Sequence, residues 1–265
     1  MHRSESHSSL CLRLLGQFRL VYGTEPVELC GNAQRLLALV GLRSCVSRTV
    51  LAGTLWPEAT EEHARGSLRS ALCKLPHGDR ALVTCGRNSV SIVDSVTVDA
   101  RVLAEAALRV VRSGAPGAEP VPTVLFGEGD LLPGWDDDWV LLERERLRQL
   151  RLHALDALAH GLAREGRHAL ALEAALTSVR TEPLRESAHR AVVAAHLAEG
   201  NLHEAVRHYD DFRRLLREEL GVPPSPLFTR MMPSAGIDGP AHAFRPAVNA
   251  AVRVRRSALT GRRSR

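Results

Sequence analysis

The hydrophobic and polar positions of the first hundred residues predict short strands followed by three helices. Leu10–Leu15 and Phe18–Tyr22 are apolar, β-compatible runs on either side of a glycine, and Val27–Leu29 is a third candidate strand. Further along, apolar residues recur at helical spacing behind polar residues that cap helices. This spacing predicts a helix that Asn32 caps, a helix Arg48–Leu55 that Ser47 caps, and a helix Thr60–Leu75.

A β-hairpin is predicted directly after the third helix. Ala81–Thr84 and Ser89–Val93 are β-prone, and the tight turn between them contains a glycine and an arginine. Helices followed by a hairpin are typical of a winged helix-turn-helix, in which one element enters a DNA groove and another touches the DNA backbone. The pattern therefore predicts a winged-helix DNA-binding domain over residues 10–103.

The third helix has an apolar and a polar side when successive residues are placed about 100° apart around its axis. The apolar side, predicted to face the core, holds Ala64, Leu68, Ala71, Leu72 and Leu75. The opposite side holds Glu62, Arg65, Gly66, Arg69, Ser70 and Cys73. Arginines one turn apart among small side chains suit bidentate bonds to guanine in the major groove. Such a face is also often only solvated.

Candidate DNA contacts are of two kinds. Base edges in the major groove are assigned to Arg65, Arg69 and Ser70. Contacts to phosphate and from the wing, which set the register of the protein on the duplex, are assigned to Arg48, Lys74, Arg87 and Asn88. For Asn88 the commoner role of a turn former is an open alternative.

The second half of the chain matches itself at a separation of 34 residues. Glu165-Gly166 matches Glu199-Gly200, and Ala171 matches Ala205. A 34-residue period with glycine at the turn between two helices and alanine at close-packed positions is the tetratricopeptide pattern. Each such unit buries its apolar face against its neighbours, and the surfaces bind peptides and proteins. The period therefore predicts an all-α repeat domain over residues 127–232.

The domain boundaries follow from composition. The Gly-, Pro- and Ala-rich stretch between the two domains predicts a linker over residues 104–126. The helix Asp138–Leu158 is expected to pack as the N-terminal cap of the repeats. Residues 1–9 and the arginine-rich tail 233–265 are expected to be disordered.

The net charge of +5 belongs to that tail. Residues 241–265 contain seven arginines and no acidic residue, and the rest of the chain has 28 basic and 30 acidic side chains. Residues 10–103 have 11 basic and 8 acidic side chains, whereas residues 127–230 have 14 basic and 18 acidic. A mildly basic first half suits a polyanion and an acidic second half does not, so the two halves are expected to do different jobs.

Several classes of function are disfavoured by the sequence. The five cysteines form no CxxC pair, so no disulfide framework or zinc module is indicated, and reduced thiols fit a cytoplasmic protein. The only lysine, Lys74, stands outside a phosphate-binding loop, and no nucleophile elbow or HExxH appears. The acids Asp136–Asp138 are more typical of a helix start than of a metal site. We expect no enzyme, no cofactor, no metal and no membrane span.

The sequence resembles the Streptomyces antibiotic regulatory protein family from about Leu10 to Pro226. In the first half the resemblance is carried by Leu12–Leu15, Gln34–Leu39, Leu55–Pro57, Ala64-Arg65, Leu68-Arg69 and Ala71-Leu72. In the second half it is carried by motifs of the bacterial transcriptional activation domain, namely Gly129–Trp135, Asp138–Val140, Glu143–Leu147, Glu182–Glu186 and Glu218–Gly221.

This resemblance implies a mostly α fold, with an OmpR-type winged helix fused to tetratricopeptide-like repeats. It also implies a function: a cytoplasmic, nucleoid-associated activator of a secondary-metabolite gene cluster. The implied partners are double-stranded DNA carrying direct repeats near the promoter, RNA polymerase holoenzyme, and a second copy of the chain on repeated half-sites. An alternative is a protein–protein adaptor whose winged helix has lost specific DNA binding. Gly66, Ser67 and Cys73, where the chain leaves the family pattern, favour that alternative.

Overall fold

The computed structural model describes residues 10–113, 120–127 and 129–232. The fold class predicted from the sequence, a mostly α chain with a winged helix before a helical domain, is confirmed. The segments predicted to be disordered, 1–9 and 233–265, lie outside the described residues.

The chain divides into two compact units. Of the described residues, the first contains 10–109 and those within 122–151, and the second contains those within 110–121 and residues 152–232. A four-stranded sheet of the first unit has the strands β1 (Leu10–Arg13), β2 (Arg19–Tyr22), β3 (Glu25–Pro26) and β7 (Val96–Val98), in the order β3-β2-β1-β7. A three-stranded sheet has β4 (Cys45–Ser47), β5 (Val83–Cys85) and β6 (Ser89–Ile92), in the order β4-β6-β5.

Three helices of the first unit form the helix-turn-helix portion: α1 (Gly31–Arg43), α2 (Arg48–Leu55) and α3 (Glu61–Cys73). The last two begin where the sequence predicts, because each has a local cap. The Ser47 hydroxyl accepts a hydrogen bond from the Val50 amide at 3.2 Å, and the Thr60 hydroxyl accepts one from the His63 amide at 3.5 Å.

Two local predictions in this unit are wrong. The cap position of α1 is Cys30, not Asn32, and Cys30 makes no side-chain capping bond. Val27–Leu29 is not a strand, because the edge of the sheet is formed by Glu25–Pro26, which pairs with β2.

Strand β7 and the helix that follows it are fixed by a long-range contact. Strand β7 runs parallel to β1, with Val98 opposite Leu12. The Asp99 carboxylate at the start of helix α4 (Asp99–Ser113) accepts hydrogen bonds from the amides of Leu14 and Leu15, at 2.8 and 3.1 Å. Burial raises the pKa of Asp99, although these amides and that of Ala100 act in the opposite direction.

The predicted linker contains regular structure. Helix α4 continues to Ser113, so residues 104–113 are helical. Residues 114–119, the glycine- and proline-rich part, lie outside the described residues. Thr123–Phe126 then form one turn of 3₁₀ helix in which Leu125 is fully buried.

The segment 129–135, predicted to open the repeat domain, packs in the first unit. The Gly16 amide donates to the Asp130 carbonyl at 2.8 Å, and the Leu132 amide donates to the Leu14 carbonyl at 2.9 Å. The Arg144 guanidinium donates to the carbonyls of Leu131, Leu132 and Trp135, at 2.7, 2.5 and 3.1 Å. The motif Gly129–Trp135 therefore packs against the residues that directly follow β1, through the bridge between Leu15 and Leu131, rather than within a helical repeat.

The second unit is helical. It contains the part of α5 (Asp138–Arg164) beyond residue 151, followed by α6 (His168–Thr181), α7 (Glu186–Ala198), α8 (Leu202–Leu220) and α9 (Pro226–Thr229). Helix α5 extends beyond the predicted end at Leu158. Gly166 and Gly200, 34 residues apart, both lie at helix–helix turns with positive φ, 74° and 76°. This matches the role that the repeat assigned to them, since glycine adopts that conformation without strain.

Candidate nucleic-acid interface

Helix α3 is held in the first unit by its apolar side. Ala64, Leu68 and Ala71 on the helix and Leu75 just after it are at most 3% exposed, and Leu72 is half-buried. They pack in the same core as α1, α2 and the wing strands. The predicted core side of α3 is therefore the observed one, and its polar side faces outward.

The predicted DNA contacts lie on three neighbouring elements of the first unit. Arg65, Arg69, Ser70 and Lys74 are exposed on α3 or at its end, Arg48 is the first residue of α2, and Arg87 and Asn88 are exposed in the turn between β5 and β6.

The two arginines of the α3 face differ in their surroundings. Arg65 forms an ion pair with Glu61 one turn earlier, with Nη2 and Oε1 2.6 Å apart. No carboxylate in the described part of the chain lies within 4 Å of the Arg69 guanidinium. Its Nη2 lies 3.9 Å from the position that a Cβ on Gly66 would occupy. Among the side chains that the structure describes, Arg69 thus differs from Arg65 in having no carboxylate partner, and its guanidinium lies close to Gly66.

The wing is anchored to the start of α2. The Gly86 amide donates to the Ser89 carbonyl at 2.9 Å and closes the turn of the hairpin. The Arg48 amide donates to the Asn88 carbonyl at 2.9 Å. Asn88 thus has a structural role through its backbone, and its exposed side chain is available as well. Arg48 and the wing tip are consequently held side by side.

A strand that the sequence reading missed strengthens this arrangement. Cys45–Ser47 pairs with β6, with Val46 opposite Val90, and both valines are buried. The segment Cys-Val-Ser is β-compatible and ends at the Ser47 cap. Three residues are too few, however, to predict a strand from the alternation of apolar and polar positions. Because β4 leads straight into α2, the position of α2 and that of the wing are coupled.

The described residues contain neither a disulfide nor a cluster of metal ligands. All five cysteines are free. Within residues 10–113, 120–127 and 129–232, no group of three or more His, Cys, Asp or Glu side chains is arranged to hold a metal ion. None of the helices described is long and apolar enough to cross a membrane.

Comparison with known proteins adds a family match for the second half. Residues 125–234 match the bacterial transcriptional activator domain. The chain is 29% identical over 243 residues to the regulatory protein AfsR of Streptomyces coelicolor and 26% identical over 230 residues to AfsR of Streptomyces griseus. These alignments cover 84% and 82% of this chain but 24% of each relative, so the chain spans about a quarter of their length.

A solved structure has the same fold. EmbR of Mycobacterium tuberculosis, in complex with a low-affinity phosphopeptide, superposes with a TM-score of 0.65 at 19% identity. The match covers 96% of this chain and 70% of EmbR. This likeness shows the fold, whereas the activator-domain match and the two sequence relatives support the family resemblance drawn from the sequence motifs.

Proposed function

We propose that this chain, a regulator of the Streptomyces antibiotic regulatory protein type, is a sequence-specific DNA-binding activator of transcription. The observation that carries the proposal is the exposed polar side of α3, with Arg69 on it, next to a wing that ends in Arg87. The bacterial transcriptional activator domain supplies the second half of the argument.

The proposed reading residues are Arg69, Arg65 and Ser70. Arg69 presents a free guanidinium to the major groove, where a bidentate bond to guanine discriminates between bases. Arg65 must share its guanidinium with Glu61 or exchange that bond for one to DNA. Proposed phosphate contacts come from Arg48, Lys74, Arg87 and Asn88, which position α3 without reading sequence.

The proposed regulation uses repeated sites. One winged helix touches few base pairs, so affinity and specificity rise when two copies occupy direct repeats on one face of the duplex, about one helical turn apart. Near a promoter, the helical second unit would then engage RNA polymerase holoenzyme. Such a protein acts in the cytoplasm, at the nucleoid. We propose a secondary-metabolite gene cluster as its target because of the family that the chain resembles.

An adaptor function is the second candidate, and one contact favours it. The exposed side of α3 with Arg65 and Arg69 is the proposed reading face. On this face the Arg65 guanidinium is already bound to the Glu61 carboxylate. In that case the second unit would bind proteins while the winged helix would bind DNA without preference.

Fluorescence anisotropy separates the two functions. The full chain is titrated against duplexes from the upstream regions of neighbouring genes and against random duplexes. A preference for one upstream duplex is expected, and equal affinity for all duplexes would favour the adaptor.

Two variants then assign roles. Arg69→Ala should cost about 1–3 kcal/mol on the preferred duplex and relax the preference at one position. Arg87→Ala should weaken binding to every duplex and lower the salt slope by about one. Arg213→Ala, which removes an exposed arginine of α8, is the matched control and should change neither quantity.

A further inference from the structure

A cleft opens beside the proposed reading face. It lies in the first unit, between the C-terminal part of α3, strand β5 and the first residue of α2, and its volume is about 340 Å³. Leu72, Leu75 and Val83 contribute apolar surface to its lining. Pockets that bind small organic ligands have volumes of about 300–1,000 Å³ and mostly apolar walls with a few polar groups. The volume of the cleft is at the lower end of that range, and most of its lining surface is apolar.

Two arginine side chains lie at this cleft. Arg48 and Arg69 both line it. No carboxylate among the described residues lies within 4 Å of either guanidinium, whereas Arg65 and Arg43 in the same unit are paired with Glu61 and Glu143. An apolar surface beside a guanidinium limits how well water can hydrate the charge. An anion that forms hydrogen bonds to the guanidinium then replaces the missing hydration. The cleft therefore combines an apolar lining with a cationic edge.

We propose that this cleft binds a small organic carboxylate with an apolar body. The carboxylate would accept hydrogen bonds from Arg48 and Arg69, and the apolar body would cover Leu72, Leu75 and Val83. A ligand in this position uses two groups that the proposed function assigns to DNA, so ligand and DNA would exclude each other. Linkage then requires that each weakens the binding of the other by the same factor. This second step rests on the proposed function; the binding step does not.

Ligand binding in the cleft can be measured through the reactivity of two thiols. Cys73 and Cys85 line it, and both are exposed in the free protein. Cys30, at the start of α1, is also exposed but does not line the cleft, so it serves as an internal control. Alkylation of each cysteine by iodoacetamide can be followed separately by mass spectrometry of the full chain.

The probe is octanoate, with octan-1-ol and inorganic phosphate as comparisons. At about ten times its Kd, octanoate should slow alkylation of Cys73 and Cys85 about tenfold by mass action and leave Cys30 unchanged. Octan-1-ol lacks the charge and phosphate lacks the apolar body, so both should protect far less. Arg48→Gln should abolish the protection without changing the alkylation rate of Cys30.

Three results would overturn the ligand site. Unprotected cleft thiols would show that octanoate does not bind there. Equal protection by phosphate would identify a binding site for the DNA backbone rather than for an apolar anion. Equal protection by octan-1-ol would show that the arginines do not contribute to binding.

The competition step is tested separately by anisotropy. Octanoate should raise the Kd for DNA by the factor by which DNA raises the Kd for octanoate. Protected thiols with unchanged DNA affinity would contradict mutual exclusion. Protected thiols in a chain that shows no DNA preference would support the ligand site and refute the proposed function.

Discussion

Glu61 and Arg65 form an ion pair across one turn of α3, with 2.6 Å between Oε1 and Nη2. Both side chains are more than half exposed, so the pair contributes little to stability. Its importance lies in its position, because it places a carboxylate at the start of the helix proposed to enter the major groove. The pair reduces the positive charge that this face offers to DNA.

Glu61→Gln should tighten binding to all duplexes, because it removes a negative charge from the DNA-facing end of α3 and releases Arg65. Stability should fall by no more than about 1 kcal/mol, since an exposed pair and an acid in the first helical turn are lost. Anisotropy at two salt concentrations measures the effect. Glu58→Gln is the matched control, because Glu58 is exposed just before α3 and makes no ion pair within 4 Å with a described residue. Weaker binding by Glu61→Gln would instead mean that Glu61 orients Arg65 for base reading.

Gly66→Ala should raise stability and lower DNA affinity. Alanine is about 1 kcal/mol more favourable than glycine inside a helix, and the added Cβ would meet Arg69 Nη2 at an ordinary contact distance of 3.9 Å. The methyl group would stand between the arginines of the reading face and hold the backbone away from the groove. Urea unfolding and anisotropy measure the two effects.

Gly53→Ala is the control for this substitution. Gly53 is exposed in α2, and no described atom lies within 4 Å of the position of its Cβ. It should stabilise the chain by a similar amount and leave DNA affinity unchanged. If Gly66→Ala also leaves affinity unchanged, close approach of α3 is not the reason for glycine at that position.

Arg144→Met should destabilise the first unit by about 2–4 kcal/mol. The guanidinium donates to three carbonyls of the segment 131–135, and hydrogen bonds from a charged donor contribute more than neutral ones. Trp135, which stacks on Phe18 with ring centroids 6.0 Å apart, reports the loss by fluorescence during urea unfolding. Arg146→Met removes the pair between an exposed Arg146 and a half-buried Glu143, which keeps a second pair with Arg43, and should cost under about 1 kcal/mol. Equal costs would show that the three bonds do not hold the segment.

Acid should loosen the contact between α7 and α8. His189 and His208 are hydrogen-bonded, with Nδ1 and Nε2 3.0 Å apart, and His189 Nε2 donates to the Pro183 carbonyl at 2.9 Å. Burial lowers the pKa of His189 from 6.5 to about 4 and, with repulsion from neighbouring charges, that of His208 to about 3. The unfolded chain therefore binds protons below pH 6.5 that the folded chain does not bind. The free energy of unfolding should fall between pH 6.5 and 4, by up to about 1.4 kcal/mol per pH unit for each histidine.

Hydrogen exchange of the α7 and α8 amides, followed by mass spectrometry and corrected for intrinsic rates, measures this pH dependence. His208→Gln should lessen it, whereas His203→Gln, which changes an exposed histidine at the start of α8, should not. Exchange that is independent of pH from 7 to 5 in the unaltered chain would contradict the assignment.

The local parts of this fold could be predicted from the sequence. Helices α2 and α3 begin at Ser47 and Thr60, because a capping hydroxyl and the helix it caps are neighbours in the chain. The ion pair between Glu61 and Arg65 could also be predicted, because residues four positions apart lie next to each other on a helix.

The long-range parts could not be predicted. Asp99 binds the amides of Leu14 and Leu15 across more than eighty positions of the chain, and nothing in the spacing near Asp99 indicates this. The same holds for Arg144. It lies in a motif that the sequence identifies, but its three carbonyl partners could not be predicted from that motif. The proposed contact residues Arg48 and Arg69 share a cleft only because β4 joins α2 to the wing.

The central claim is that the chain activates transcription through the exposed face of α3. Run-off transcription with purified RNA polymerase holoenzyme, from a promoter preceded by the direct repeat that the chain prefers, tests it most directly. We expect more transcript when the protein is present, and a loss of that increase with Arg69→Ala but not with Arg19→Ala, which removes an exposed arginine of β2 in the first unit. Binding to the repeat without any increase in transcript, or the same increase with Arg69→Ala, would contradict it.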